Sequence, residues 1–131
     1  MNEKEFEKFW DKVMDGFGQL FIKKCVDNVY DKIDKYKKED KIFKAFFESL
    51  DKEQLDNYNK IAYRQFVYEY NAGILDIFDH HTEFSLKYIE NNKECDFNWD
   101  FSDALVGELV AEEFGWIDRF SKKIKIIKIW G

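Results

Sequence analysis

The sequence predicts a mostly α single domain: a helical bundle of about four to five helices spanning residues 1–131, with a C-terminal segment able to form a small β element. Three observations predict it. Apolar residues recur at three-to-four spacing over long stretches, the period of an amphipathic helix. Proline, the strongest helix breaker, is absent from the 131 residues, and there are only six glycines. Hydrophobic residues make up 45% of the chain and aromatic residues 19%, more than a disordered segment carries and enough for one packed core.

Residues 3–37 read as helix, with Phe6, Trp10, Val13, Phe17, Leu20 and Phe21 on one side. Ile22, Val26, Val29, Ile33 and Tyr36 continue that side on a drifting stripe. Asp15-Gly-Phe-Gly18 predicts a kink or short break, since each glycine costs about 1 kcal/mol in a helix interior. A charged turn over 35–41 leads to a short helix, 42–50, whose Phe43, Phe46, Phe47 and Leu50 share a face. Asp51-Lys-Glu-Gln54 has the form of a capping box. It starts a long helix expected over 52–91, apolar at Tyr63, Phe66, Val67, Tyr70, Ile74, Ile77, Phe78, Phe84 and Tyr88, with Asn71-Ala-Gly73 as a kink or close-approach point.

Beyond it, Cys95, Phe97, Trp99 and Phe101 alternate with polar residues, so 95–101 reads as a strand or an aromatic-anchored loop. Ser102 is placed as N-cap of a helix over 103–114, and Gly115 as its C-cap. The tail 123–130 is β-branched with near alternation and is an option as a strand pairing with 95–101. The expected core comprises Phe17, Leu20, Val29, Ile33, Phe46, Phe47, Phe66, Tyr70, Ile74, Phe78, Leu105, Leu109 and Trp116.

Charge divides the chain more sharply than the net of −6 suggests. Residues 1–60 carry −1, residues 61–121 carry −9 and residues 122–131 carry +4. Such acidity speaks to partners and association rates rather than to fold. It argues against nucleic acid as a partner. No apolar run reaches membrane-spanning length, so no membrane association is expected, and the charged N-terminus lacks a signal-peptide pattern. Cys25 and Cys95 match no metal or disulfide framework and read as reduced thiols, which places the protein in the cytoplasm. Arginine is scarce beside lysine, asparagine and isoleucine, the bias of an AT-rich genome of bacterial or phage type.

Both histidines fall in Asp76-Ile-Phe-Asp-His-His-Thr-Glu83. Helical spacing sends His81 to the apolar side and His80 outward with Asp76 and Glu83. Asp76, His80 and Glu83 are therefore the metal-ligand alternative. The bland reading, a solvated face, is favoured, because bundle metal sites draw Glu-x-x-His pairs from more than one helix and Ile77 and Phe78 stand where those carboxylates belong. His81 has an option as a general base, alone or with Cys25 as nucleophile; a core histidine and a structural thiol are the plainer readings. Gly16-Phe-Gly18 lacks the context of a nucleotide loop. No cofactor is implied.

The functional expectation is a non-catalytic binding protein whose acidic face neutralises a basic protein partner, such as an immunity protein against a toxin nuclease or a phage-type inhibitor. Its partner-binding residues would be Glu69, Asp76, Asp79, Glu83 and Glu90, followed by Asp96, Asp100 and Asp103. A metal protein or enzyme built on His80 and His81, and an oligomerising structural domain, are the alternatives.

Overall fold

A computed structural model describes residues 2–80, 83–84, 86–96, 104–111 and 114–124, with backbone alone at 80, 95, 96 and 104. The described chain is mostly helical with one small antiparallel hairpin, as its periodicity predicts.

The first helix is continuous from Glu3 to Glu39. It comprises α1 (Glu3–Phe21), a π-helical stretch (Ile22–Asp27) and α2 (Asn28–Glu39). Asn2 caps it by accepting the Glu5 amide. The expected break at Gly16–Gly18 does not occur. The buried row Met14, Gly18, Ile22, Val26 steps by four. An α-helix turns about 100° per residue, so such a row drifts by about 40° per step. The wider π turn slows that drift and keeps Ile22 and Val26 facing the core.

Gly18 is where the close approach occurs. A methyl group there would fall inside the Trp116 indole. Trp116 is fully buried and lies edge-on to Phe17, with ring centres 5.5 Å apart. Gly16, by contrast, has open space beside it.

Helix α3 (Lys41–Glu48) is capped by Asp40, whose carboxylate accepts the Ile42 and Phe43 amides. The second long helix runs from α4 (Lys52–Tyr63) through a π-helical stretch (Arg64–Asn71) into α5 (Ala72–His80). The capping box forms as predicted: Asp51 accepts the Gln54 amide at 2.8 Å and Gln54 accepts the Asp51 amide at 2.9 Å. The four-step row recurs as Val67, Asn71, Leu75 and Asp79, all buried. Two of its members are polar. Asn71 satisfies itself by donating to the Phe66 carbonyl, 2.9 Å away.

That row corrects the expected core. Tyr70 and Ile74 lie on the solvent side, and Leu20 and Phe46 are exposed as well. A hydrophobicity pattern selects the face with the most apolar residues; this helix buries the face that carries Asn71 and Asp79 instead. Leu105, Leu109 and Trp116 are buried as expected, while Phe17, Phe66 and Phe78 pack half-buried against the core.

The second helix does not reach residue 91. Residues 87–96 form a hairpin, β1 (Lys87–Glu90) and β2 (Lys93–Asp96), closed by the pair Glu90 and Lys93. Asn91 and Asn92 turn the corner with φ of 51° and 65°. Consecutive positive φ values are what a two-residue hairpin turn with the right-handed strand twist requires, and asparagine tolerates them. The hairpin packs on α1 through Tyr88 against Phe9, ring centres 6.0 Å apart.

Helix α6 is described over Ala104–Val110 and α7 over Trp116–Phe120. Gly115 is not a C-cap but the residue preceding α7, with ordinary negative φ. A side chain there would meet the Ala111 and Glu108 carbonyls at 2.6 and 2.8 Å. The left-handed residue is Phe114, at φ 62°. The expected Ser102 cap, and the pairing of 95–101 with 123–130, fall largely outside the described residues; within them, Cys95 and Asp96 belong to β2, which pairs with β1.

The core is therefore unevenly shared among the helices. It draws on Val13–Val26 of the first helix, Val67–Leu75 of the second, α6, α7 and Ile124. Helices α2, α3 and α4 contribute no fully buried residue; they are held by half-buried rings such as Phe47 against Tyr58, 5.0 Å between centres.

Candidate interaction surface

The residues expected to form an acidic face do not act alike. Glu69 and Asp76 are exposed on the second helix. Asp79 is buried and faces inward. Its Oδ2 accepts the Val106 amide at 2.9 Å and its Oδ1 the Leu105 amide at 3.3 Å. Those amides belong to the first turn of α6, where a helix leaves its N–H groups unsatisfied and favours negative charge. Asp79 thus docks α6 onto α5, and its expected place on the open acidic face is corrected.

Glu83 is exposed but follows the described helix in a bend. The helical row that would join Asp76, His80 and Glu83 therefore does not run on through Glu83. Glu90 lies in β1, where its carboxylate accepts a hydrogen bond from Lys12 Nζ at 3.0 Å. That bond and the ammonium charge hold the Glu90 carboxyl below the usual carboxylate range and raise Lys12. Asp96 ends β2 opposite Lys87. Asp100, Asp103 and His81 lie outside the described residues, as does the side chain of His80. Among the described residues no three histidine, cysteine or acidic groups gather as a metal site.

Cys25 is half-buried, and burial pushes its thiol up from the ordinary value, the direction of an inert thiol. Glu108 is also pushed up, by burial first and against the pull of Arg119. Arg119 reaches Asp15 at 2.9 Å and Glu108 at 3.6 Å, tying α7 to α1 and α6. Sequence reasoning gave Arg119 no role; its partners are remote in the chain and no local spacing announces them.

What α5 presents to solvent is unexpected. Ala72, Leu75 and Asp79 face the core, while Gly73, Ile74, Asp76 and Ile77 face outward. Tyr70 is 68% exposed, Ile74 50% and Ile77 43%. A methyl group added at Gly73 would meet nothing within 4 Å. Three large apolar side chains thus share the outer side of one helix with the carboxylates of Glu69 and Asp76. Scattered surface hydrophobics are ordinary, whereas a run of them beside charged residues is the composition of an interface centre and rim.

Comparison of the chain with protein-family models, curated proteins and solved structures finds no match. No helix among the described residues is long and apolar enough to cross a membrane.

Proposed function

We propose that the protein is a non-catalytic binding protein that docks a basic protein partner on the outer side of its second helix. One observation carries this reading: Tyr70, Ile74 and Ile77 stand exposed next to Glu69 and Asp76. Aromatic and aliphatic anchors supply most binding energy once desolvated, and flanking charges supply steering and register. The −9 carried by residues 61–121 would draw in a positively charged partner and speed its association at low salt. In its narrower form the partner is a toxin nuclease or a comparable basic enzyme, and binding occludes its active-site groove. That form rests on charge alone.

The test uses the product of the adjacent gene as the first partner candidate. Immobilised protein should bind it with an on-rate that falls steeply as salt is raised from low to high, about tenfold or more. Glu69→Lys with Asp76→Lys should slow association, and Ile74→Asp with Ile77→Asp should speed dissociation. Wild-type affinity in both double variants would refute the surface.

Self-association is a second reading, favoured by a separate observation. Tyr36 on α2 and Ile42 and Phe46 on α3 are exposed. Sedimentation velocity at high protein concentration separates the two, since a monomer throughout leaves only the hetero-partner reading.

A further inference from the structure

Between the first helix and the residues around the end of α7 lies a concavity of the opposite charge. A cleft of about 650 Å³ opens between the π-helical stretch 22–27 and the residues that follow α7. Its size falls within the ordinary range for small-ligand pockets, roughly 300–1,000 Å³. Five cationic residues line it: Lys23, Lys24, Arg119, Lys122 and Lys123.

Two carboxylates also line the cleft, and both are already engaged. Asp27 is buried and accepts hydrogen bonds from Ser121 Oγ at 2.6 Å and the Lys122 amide at 2.8 Å. Asp31 pairs with Lys123 at 2.7 Å. Arg119 is held by Asp15 and Glu108. Lys23, Lys24 and Lys122 then carry no ion pair among the described residues. Lys12, Lys35, Lys37, Lys60 and Lys87 find carboxylates elsewhere, while Lys4, Lys8 and Lys52 also carry no ion pair among the described residues; what sets Lys23, Lys24 and Lys122 apart is that they line one cleft.

The fold brings these three together across most of the sequence. Asp27 tethers the backbone at Lys122, so the lysine after α7 is fixed beside the two on the π turn. All three are exposed, and in a chain of net charge −6 they give this concavity a local excess of positive charge.

We propose that this cleft binds a small phosphate-bearing anion, with Lys23, Lys24 and Lys122 as its charge donors. Each ammonium offers three freely rotating N–H donors, which suits the dispersed oxygens of a phosphate. The site is distinct from the outer side of the second helix and does not depend on the protein-binding reading.

Inorganic pyrophosphate is the probe. Calorimetric titration at fixed ionic strength should give saturable binding at one site per chain, and pyrophosphate should raise the melting temperature where equivalent sodium chloride does not. The variant Lys23→Gln/Lys24→Gln/Lys122→Gln should bind at least tenfold more weakly with an unchanged circular dichroism spectrum. Lys4→Gln/Lys8→Gln/Lys52→Gln, with the same charge change elsewhere, should bind as wild type. Vesicles containing phosphatidic acid form a further arm: pelleting that pyrophosphate competes away assigns the same site to a lipid headgroup phosphate. No saturable heat, equal loss in both triple variants, or tighter binding of a short single-stranded oligonucleotide than of pyrophosphate would overturn the proposal.

Discussion

Replacing Gly18 with alanine adds one methyl group where α1 and α7 approach closely. That Cβ would sit 2.5 Å from Trp116 Cδ1 and 2.6 Å from Cε2, where carbon atoms normally keep more than 3.4 Å. The indole must retreat by almost 1 Å, yet Phe17 and Phe21 flank it at ring separations of 5.5 and 6.0 Å. Overpacking of this kind costs about 1–3 kcal/mol, and the absence of slack around a fully buried tryptophan places Gly18→Ala at the upper end. Alanine returns about 1 kcal/mol through helix propensity. Gly16→Ala isolates that return, because nothing lies within 4 Å of its added methyl. Propensity cancels between the two variants, so their difference reads the steric cost alone, about 3 kcal/mol. Urea unfolding followed by tryptophan fluorescence and far-ultraviolet circular dichroism measures it. Gly16→Ala should be more stable than wild type by up to about 1 kcal/mol and Gly18→Ala less stable by about 2. Equal stability of the two would refute the seating of Trp116 on Gly18.

Three further outcomes follow from particular contacts. Asp79→Ala leaves the Leu105 and Val106 amides without their acceptor and should cost about 2–4 kcal/mol in urea unfolding; Asp79→Asn, which retains one acceptor oxygen, should cost less. Phe114→Gly should stabilise the protein by about 0.5–1 kcal/mol, because Phe114 is 76% exposed and held at φ 62°, a conformation that penalises a bulky side chain. Burial first, then the neighbouring Tyr63 and Tyr58, push the Tyr30 phenol up to about 12. A folded pKa above the unfolded one gives stability that is complete below pH 10 and lost as pH rises through about 12. Tyr30→Phe should therefore flatten the alkaline loss of stability over that window, and an unchanged alkaline profile would contradict the burial of Tyr30.

Much of the local structure was legible in the sequence, for physical reasons that are themselves local. The Asp51–Gln54 capping box declares itself through two side chains three residues apart. The two long helices declare themselves through periodicity over many turns. Their rotation was less legible. A row stepping by four needs a π turn to stay inward, and on the second helix that row includes Asn71 and Asp79. Both are buried because each finds a partner, Asn71 in its own helix and Asp79 in α6, 26 residues later. No apolar pattern reports such partners. The misplacement of the acidic face followed directly: Asp79 serves the fold, Glu90 serves the hairpin contact with Lys12, and Glu69 and Asp76 remain exposed. The hairpin also has a local signal, since Asn91-Asn92 between Lys-Tyr-Ile-Glu and Lys-Glu-Cys-Asp is a turn between alternating runs. An amphipathic helix extended through Tyr88 masked it. The cleft between residue 27 and residue 122 joins opposite ends of the chain, and no local spacing could have placed its lysines together.

The central claim is that the outer side of the second helix meets a partner protein. A photo-crosslinking amino acid placed in turn at Tyr70, Ile74 and Ile77, and at Lys32 as a control, tests it whatever the identity of the partner. Irradiation of cells that carry the gene in its natural setting should give one discrete adduct at the three helix positions and none at Lys32, and mass spectrometry should identify the adduct as a basic protein. No adduct at any of the three, the same set of adducts at Lys32, or an adduct with a second copy of this chain would contradict the account.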